Sequence, residues 1–242
     1  MESPHLTQNS QPLHGMFTAV PARYDIVNRV ITLGLDRRWR RLAAKICLKD
    51  KPKNILDLGC GTGDLAINIA KLADKEIEII GLDYSQPMLE KARRKAAKAG
   101  VENRIRFMHG EATAIPFPDE HFDCVGISFA FRNLTYKNPL GPKHLAEVKR
   151  VLTKGGRYVI VESSQPENHL IRLIFNFYLR IFVRPVGIVL SGNPGAYRYL
   201  AESVTRFSSA SEIKDMLLEA GFQDVRYRLL FFGAACIHAA TK

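Results

Sequence analysis

The chain has 242 residues, with 35 Lys and Arg against 24 Asp and Glu and 46% hydrophobic residues. A chain of this length buries a full core without staples, and its composition excludes intrinsic disorder, a collagen-like repeat and a disulfide scaffold. The net charge of +11 suits phosphates, but the most apolar stretch, 170–190, is broken by Arg172, Arg180 and Arg184, so no membrane span is expected. Met1 to Val20 is polar, without the apolar centre of a secretory signal. Cys47, Cys60, Cys124 and Cys236 form no CxxC pair and stand at no zinc spacing from a histidine. They read as reduced, buried thiols in a metal-free cytoplasmic protein.

Residues 1–20 read as a loose tail, and 21–242 as one domain. From Tyr24 to Cys47 the spacing is helical, broken near Gly34, with Asp36 as the expected N-cap of the second helix. Strand and helix signals then alternate. Strands are expected at Asn54–Leu58, Ile77–Leu82, Arg104–Met108, Phe122–Phe129 and Tyr158–Val161. Helices are expected at Leu65–Leu72, Met88–Ala99 and Leu145–Leu152. An apolar helical insertion at about 165–205 contains a Gly/Pro loop at Ser191–Gly195. A helix at Ser211–Glu219 and strands at Val225–Phe232 and Ala234–Ala240 close the chain. This order predicts an α/β fold: a doubly wound, mostly parallel, seven-stranded sheet of Rossmann-like type with an antiparallel terminal strand.

The strongest signal is Asp57-Leu-Gly59-Cys-Gly61-Thr62-Gly63-Asp64, which leaves the first strand and opens the first helix of the alternating region. Glycines there permit positive φ and close backbone approach by a ligand. A dinucleotide loop would carry glycine where Asp64 stands. Acidic residues flank the loop on both sides, and like charges disfavour a pyrophosphate. A cationic, phosphate-free ligand fits better, and S-adenosylmethionine is one. Asp83 ends the second strand, 20 residues after Gly63, where a carboxylate accepts hydrogen bonds from a ribose diol. Tyr84 and Met88 are placed to pack on adenine, Glu111 and Ala112 to meet its edge, and Ser128 to face the crevice. Without a ligand the glycines would only make a tight turn, and Tyr84 and Met88 would be core. The acid ending the second strand is the separate match that favours a cofactor.

The chain resembles the class I methyltransferases, and within them the ubiquinone/menaquinone biosynthesis C-methyltransferases, over about residues 20–242. The resemblance is carried by Tyr24-Asp25-Ile-Val-Asn28, Gly34-Leu-Asp-Arg37-Arg-Trp39 and the glycine loop. Further on it is carried by Pro116-Phe-Pro-Asp119, Phe122-Asp123, Ser128-Phe-Ala-Phe-Arg132-Asn133 and Arg150-Val-Leu-Thr-Lys-Gly155-Gly156. Tyr197-Arg-Tyr199-Leu-Ala-Glu202-Ser203 and Ala220-Gly-Phe222 complete it. Two departures matter. Glu162-Ser-Ser-Gln-Pro166 lacks the Phe and Lys of the family's Glu-Phe-Ser-Lys-Pro, and the loop Lys137–Lys143 is long and carries two prolines, bearing on the pocket entrance.

The resemblance implies methyl transfer from S-adenosylmethionine to a ring carbon of a reduced polyprenyl quinone, demethylmenaquinol becoming menaquinol, with a benzoquinol of ubiquinone synthesis as the alternative. A hydroquinol carbon is a weak nucleophile until an oxygen, with a phenolic pKa near ~10, gives up its proton. Arg132 and Asn133 are the candidates to favour that loss. Arg132 stays charged and acts electrostatically or through a bound water, and Asn133 hydrogen-bonds a quinol oxygen. Tyr199, with Tyr24 and Glu202, is expected to orient the ring. Read without a substrate, Arg132 and Asn133 are a helix or turn cap.

Arg172, Asn176, Arg180 and Arg184 recur along one side of a helix whose other faces are apolar, and Arg37-Arg38-Trp39-Arg40-Arg41 adds a basic, aromatic patch. Such a helix covers an isoprenoid tail or lies on the inner face of a membrane with arginines towards phosphates; an ordinary amphipathic lid is the plain alternative. A homo-oligomer is left open. An RNA methyltransferase is disfavoured, and no nucleic-acid partner is expected: no Asn/Asp-Pro-Pro-Tyr-type motif follows the fourth strand, and Cys124 sits inside an apolar strand instead of exposed as a nucleophile. A non-catalytic binder of the same cofactor is the second rival.

Overall fold

The computed structural model describes residues 21–191, Gly195 and 202–242. The expected tail, the centre of the Gly/Pro loop and Tyr199 lie outside the described residues. Seven strands form one sheet: β1 (Asn54–Leu58), β2 (Glu78–Asp83), β3 (Arg106–His109), β4 (Phe122–Ser128), β5 (Leu152–Ser163), β6 (Gln223–Leu230) and β7 (Ala235–Thr241). Their order is β3-β2-β1-β4-β5-β7-β6. The first five run parallel, and β7 inserts antiparallel between β5 and β6. The described helices are α1 (Pro21–Ile31), α2 (Leu35–Cys47), α3 (Asp64–Leu72), α4 (Gln86–Lys98), α5 (Phe131–Thr135), α6 (Gly141–Val151), α7 (His169–Tyr178), α8 (Arg184–Ser191) and α9 (Ala210–Glu219).

The central strands read as apolar runs because both faces are covered. On β1, Ile55 packs with Ala43 and Ala44 of α2 and with Leu65 and Ile69 of α3. Its neighbours Leu56 and Leu58 turn the other way, into a cluster with Leu145 and Val148 of α6 and Ile213 and Leu217 of α9. The outer strand β6 keeps Arg226 and Arg228 exposed, charges that protect an open sheet edge. Sequence segments far apart are joined by side chains. Arg150 bonds the Ile115 and Phe117 carbonyls, Asp119 and Glu147, tying α6 to the Pro116–Asp119 segment. Asp123 accepts the Lys53 and Asn54 amides and so sets the start of β1.

Several expectations are corrected. Gly34, at φ 76°, is the N-cap of α2. Asp36 lies one residue inside the helix, where it pairs with Arg40 and accepts from the Thr32 hydroxyl at 3.1 Å. β5 begins at Leu152 and runs through Gly155 and Gly156 instead of starting after them. A 3-10 turn, Glu102–Arg104, precedes β3. Among the described residues of the insertion, a π-helical turn, Leu179–Val183, separates α7 from α8. The run Arg37–Arg41 is not one surface patch: Arg40 is buried and Trp39 half-buried, while Arg37, Arg38 and Arg41 are exposed. Arg172 does not stand free on α7, since its guanidinium bonds the Pro166 and Glu167 carbonyls. No helix among the described residues is long and apolar enough to cross a membrane.

Candidate active site

β1 has β2 on one side and β4 on the other, so the chain reverses its direction of travel across the sheet at β1, and a crevice opens at the strands' carboxyl ends. The glycine loop fills the turn between β1 and α3. Gly63, at φ 79°, caps α3, and a Cβ there would stand 3.0 Å from both Ala92 and Phe107. A side chain at Gly59 would meet Ala130 across the crevice at 3.0 Å. The two glycines thus let the loop close onto α4 and onto the far wall.

Asp83 holds this loop. Its Oδ2 accepts the Gly61 amide at 2.7 Å and its Oδ1 the Ser85 amide at 2.8 Å. Burial raises its pKa, and those two amides act in the opposite direction. Each oxygen keeps a further lone pair, and the side chain lines the crevice. Asp57 does not line it. The side chain is fully buried behind the loop, with Oδ2 on the Ala66 amide at 2.9 Å. Burial, with the repulsion of Asp83 and Asp64, pushes it up to about 8 against the pull of the Ala66 amide and Arg40. Thr62 serves as a latch: it donates to Asp25 Oδ1 at 2.7 Å and accepts from Lys95 at 2.9 Å. Lys95 also pairs with Asp64 at 2.6 Å.

The crevice is lined by Gly59, Gly61, Thr62, Asp83, Tyr84, Met88, Glu111, Ala112, Ser128 and Asn133 among the residues singled out in the sequence. Asp57, Gly63 and Arg132 stand behind it. Arg132 is 4% exposed, and its guanidinium reaches Ser203 near the end of the insertion. Its amide is accepted by the fully buried Glu162 at 3.0 Å, which anchors α5. Arg132 is therefore placed to position α5, with Asn133 turned inward. Asn133 Oδ1 is buried and has no hydrogen-bond partner among the described residues.

Arg40, Cys60, Asp64, Tyr136, Lys137 and His144 also line the crevice and were missed as site residues. Arg40 lies in a basic run that reads as surface. Its Nε donates to Ser128 Oγ at 2.9 Å, and its guanidinium carbon stands 4.9 Å from the Phe129 ring centroid. Lys137, Asn138, Pro139 and Leu140 bring the long loop to the wall. The lining is therefore mixed in charge, not purely acidic: Asp64 is paired with Lys95, while Asp83 and Glu111 share the lining with Arg40 and Lys137. Among the described residues no cluster of three or more His, Cys, Asp or Glu suits a metal ion.

These residues fit S-adenosylmethionine: amide-held carboxylate oxygens for a diol, a buried cation for a carboxylate, and acids for an ammonium. The sheet order, the glycine loop and Asp83 define a class I methyltransferase that takes S-adenosylmethionine as methyl donor. Solved structures share the fold. A putative O-methyltransferase from Nostoc punctiforme superposes with a TM-score of 0.64 at 18% identity, over 87% of this chain and 58% of that one. A SAM-dependent methyltransferase from Aquifex aeolicus gives 0.54 at 22% identity, over 78% and 81%. The chain belongs to the ubiE/COQ5 methyltransferase family, whose profile matches residues 5–242. It is 44% identical to a demethylmenaquinone methyltransferase of Thermus thermophilus over 94% of this chain and all of that protein. It is 38% identical to a ubiquinone/menaquinone biosynthesis C-methyltransferase of Geobacter sulfurreducens over 98% of this chain and 91% of that protein.

Proposed function

We propose that this methyltransferase moves the methyl group of S-adenosylmethionine onto a ring carbon of a reduced demethylmenaquinone. The end-to-end likeness to the Thermus thermophilus enzyme carries the substrate class, and the orphaned Asn133 Oδ1 carries the chemistry. Bound in the crevice, S-adenosylmethionine supplies an electrophilic methyl on its sulfonium. Asp83 accepts from the ribose diol, Arg40 faces the carboxylate, and Tyr84, Met88, Glu111 and Ala112 bound the adenine end. The opposite wall, Phe129, Ala130, Leu134, Tyr136 and Leu140, is apolar enough to exclude water and to seat an aromatic ring. Asn133 Oδ1 accepts a hydrogen bond from the quinol O–H, which raises electron density on the ring and fixes the reacting carbon; the methyl–sulfur bond breaks as the methyl–carbon bond forms, and the proton that carbon carried is released to solvent. Arg132 holds Asn133 in place from behind. Positioning of this kind supplies up to ~7–11 kcal/mol.

The test is incubation with methyl-labelled S-adenosylmethionine and reduced demethylmenaquinone, a reduced benzoquinol analogue and bulk RNA in parallel. Label is expected in the naphthoquinol, absent in Asp83→Ala and reduced at least tenfold in Asn133→Leu. Label in RNA alone overturns the reading, and label in the benzoquinol alone reassigns the ring. We propose further that the exposed apolar side of α7, Leu170, Leu173, Ile174 and Phe177, contacts the lipid surface that holds such a substrate.

A further inference from the structure

The mechanism leaves several lining side chains unused, that of His144 among them. His144 stands on the first turn of α6, 6% exposed, and its Nδ1 has no hydrogen-bond partner among the described residues. The helix that carries it is pinned. One turn on, Glu147 accepts the Ile115 amide at 2.9 Å and clasps Arg150. Ahead of it, Asn138 Oδ1 accepts the Leu140 amide at 3.0 Å, and the Asn138 carbonyl accepts the Gly141 amide at 2.9 Å. The face of α6 bearing His144 and Glu147 therefore packs on the 111–115 segment, the adenine end of the crevice.

Burial holds the ring below the ordinary histidine range. The Ala112 backbone acts against that by favouring a ring proton, and Lys143 adds to the lowering. The ring is thus neutral at neutral pH, with one N–H and one lone pair. With the ring proton on Nε2, Nδ1 is left as an acceptor. A buried acceptor that no described residue meets is costly, so a ligand donor is a natural partner. At the adenine end the cofactor offers one strong donor, its exocyclic amine, which has two hydrogens. Glu111 lines the same crevice, and a second acceptor on this wall has a place for the hydrogen that one carboxylate leaves.

We propose that His144 Nδ1 accepts a hydrogen bond from the adenine amine, so that this ring reads the base of the cofactor. The inference rests on the cofactor assignment above. Calorimetry with S-adenosylhomocysteine and its inosine counterpart, in which a carbonyl oxygen replaces the amine, tests it. The wild type is expected to prefer the adenine form by about tenfold or more. His144→Leu should lose about fivefold or more in affinity for the adenine form and narrow that preference by a similar factor. His144→Asn, whose Oδ1 takes the place of Nδ1, should retain it. If the Leu variant fails to fold, His144→Gln, which keeps polarity but moves the acceptor, replaces it. An unchanged preference in a folded His144→Leu or His144→Gln overturns the proposal. So does a variant that binds normally and loses only turnover, which would place His144 at the methyl acceptor. If the wild type binds neither compound, the cofactor assignment falls, and this inference with it.

Discussion

Asp57 shows how one buried carboxyl shapes stability. Behind the glycine loop its pKa moves from the usual 3.8 to about 8, burial being the largest cause. Between those values the unfolded chain ionises while the folded chain keeps its proton. The folded state then binds more protons, so stability falls as pH rises through this window. Wild-type stability is therefore expected to drop between pH 5 and 8, and Asp57→Asn to flatten that slope by roughly 1–3 kcal/mol. Urea unfolding at the two pH values measures it; equal slopes for both proteins would remove Asp57 as the cause. The motif showed an acid next to the loop. It did not show that Asp57 is sealed behind the loop, nor that Asp83 alone of the pair faces the crevice, because burial is set by packing across β1 and α3.

At the scale of elements, the glycine loop is clamped between α1 and α4. Asp25 of α1 accepts from Thr62 and pairs with Lys91 at 2.9 Å and Lys95 at 3.2 Å. Burial alone would raise the Asp25 pKa, but Lys95, Thr62 and Lys91 together hold it below the usual value. A depressed acid contributes stability above its unfolded pKa, and that contribution is lost as pH falls through the folded one. Asp25→Ala is expected to cost about 1–2 kcal/mol at pH 7 and to weaken S-adenosylhomocysteine binding several-fold. The stability difference should shrink as pH is lowered towards 3. A constant difference across that range would show that lost packing, not the charged latch, is responsible. Periodicity located α1 and α2 but could not show this clamp, since Asp25 and Thr62 are 37 residues apart.

Across the whole molecule, charge and apolar surface divide differently from their order in the sequence. Arg40 leaves a basic run to line the crevice, and Arg172 folds back on the Pro166 and Glu167 carbonyls. Beyond His169, what remains outside on α7 is apolar: Leu173 is 60% exposed and Phe177 65%. With a net charge of +11, sedimentation with anionic vesicles at low salt is expected. Leu173→Glu with Phe177→Glu should lower vesicle binding about fivefold or more and leave the thermal transition nearly unchanged, because both side chains already face solvent. Binding that responds to salt but not to these substitutions would assign the contact to charge alone.

The succession of strands and helices along the chain, the glycine loop and the acid ending β2 were legible in the sequence. Each depends on local rules: apolar runs between turn residues, glycine where φ must be positive, and a carboxylate at a fixed place after a strand. Asn133 was legible as well, as a polar residue just past the fourth strand. Tertiary packing decided which neighbour faces the ligand. Arg132 turns to Ser203 while Asn133 turns inward, and Arg40 and His144 enter the crevice from helices that the sheet brings to it. A residue's type and its place along the chain are local, whereas the direction of its side chain is set by contacts between segments up to about a hundred residues apart, such as Arg40 with Ser128 at a separation of 88.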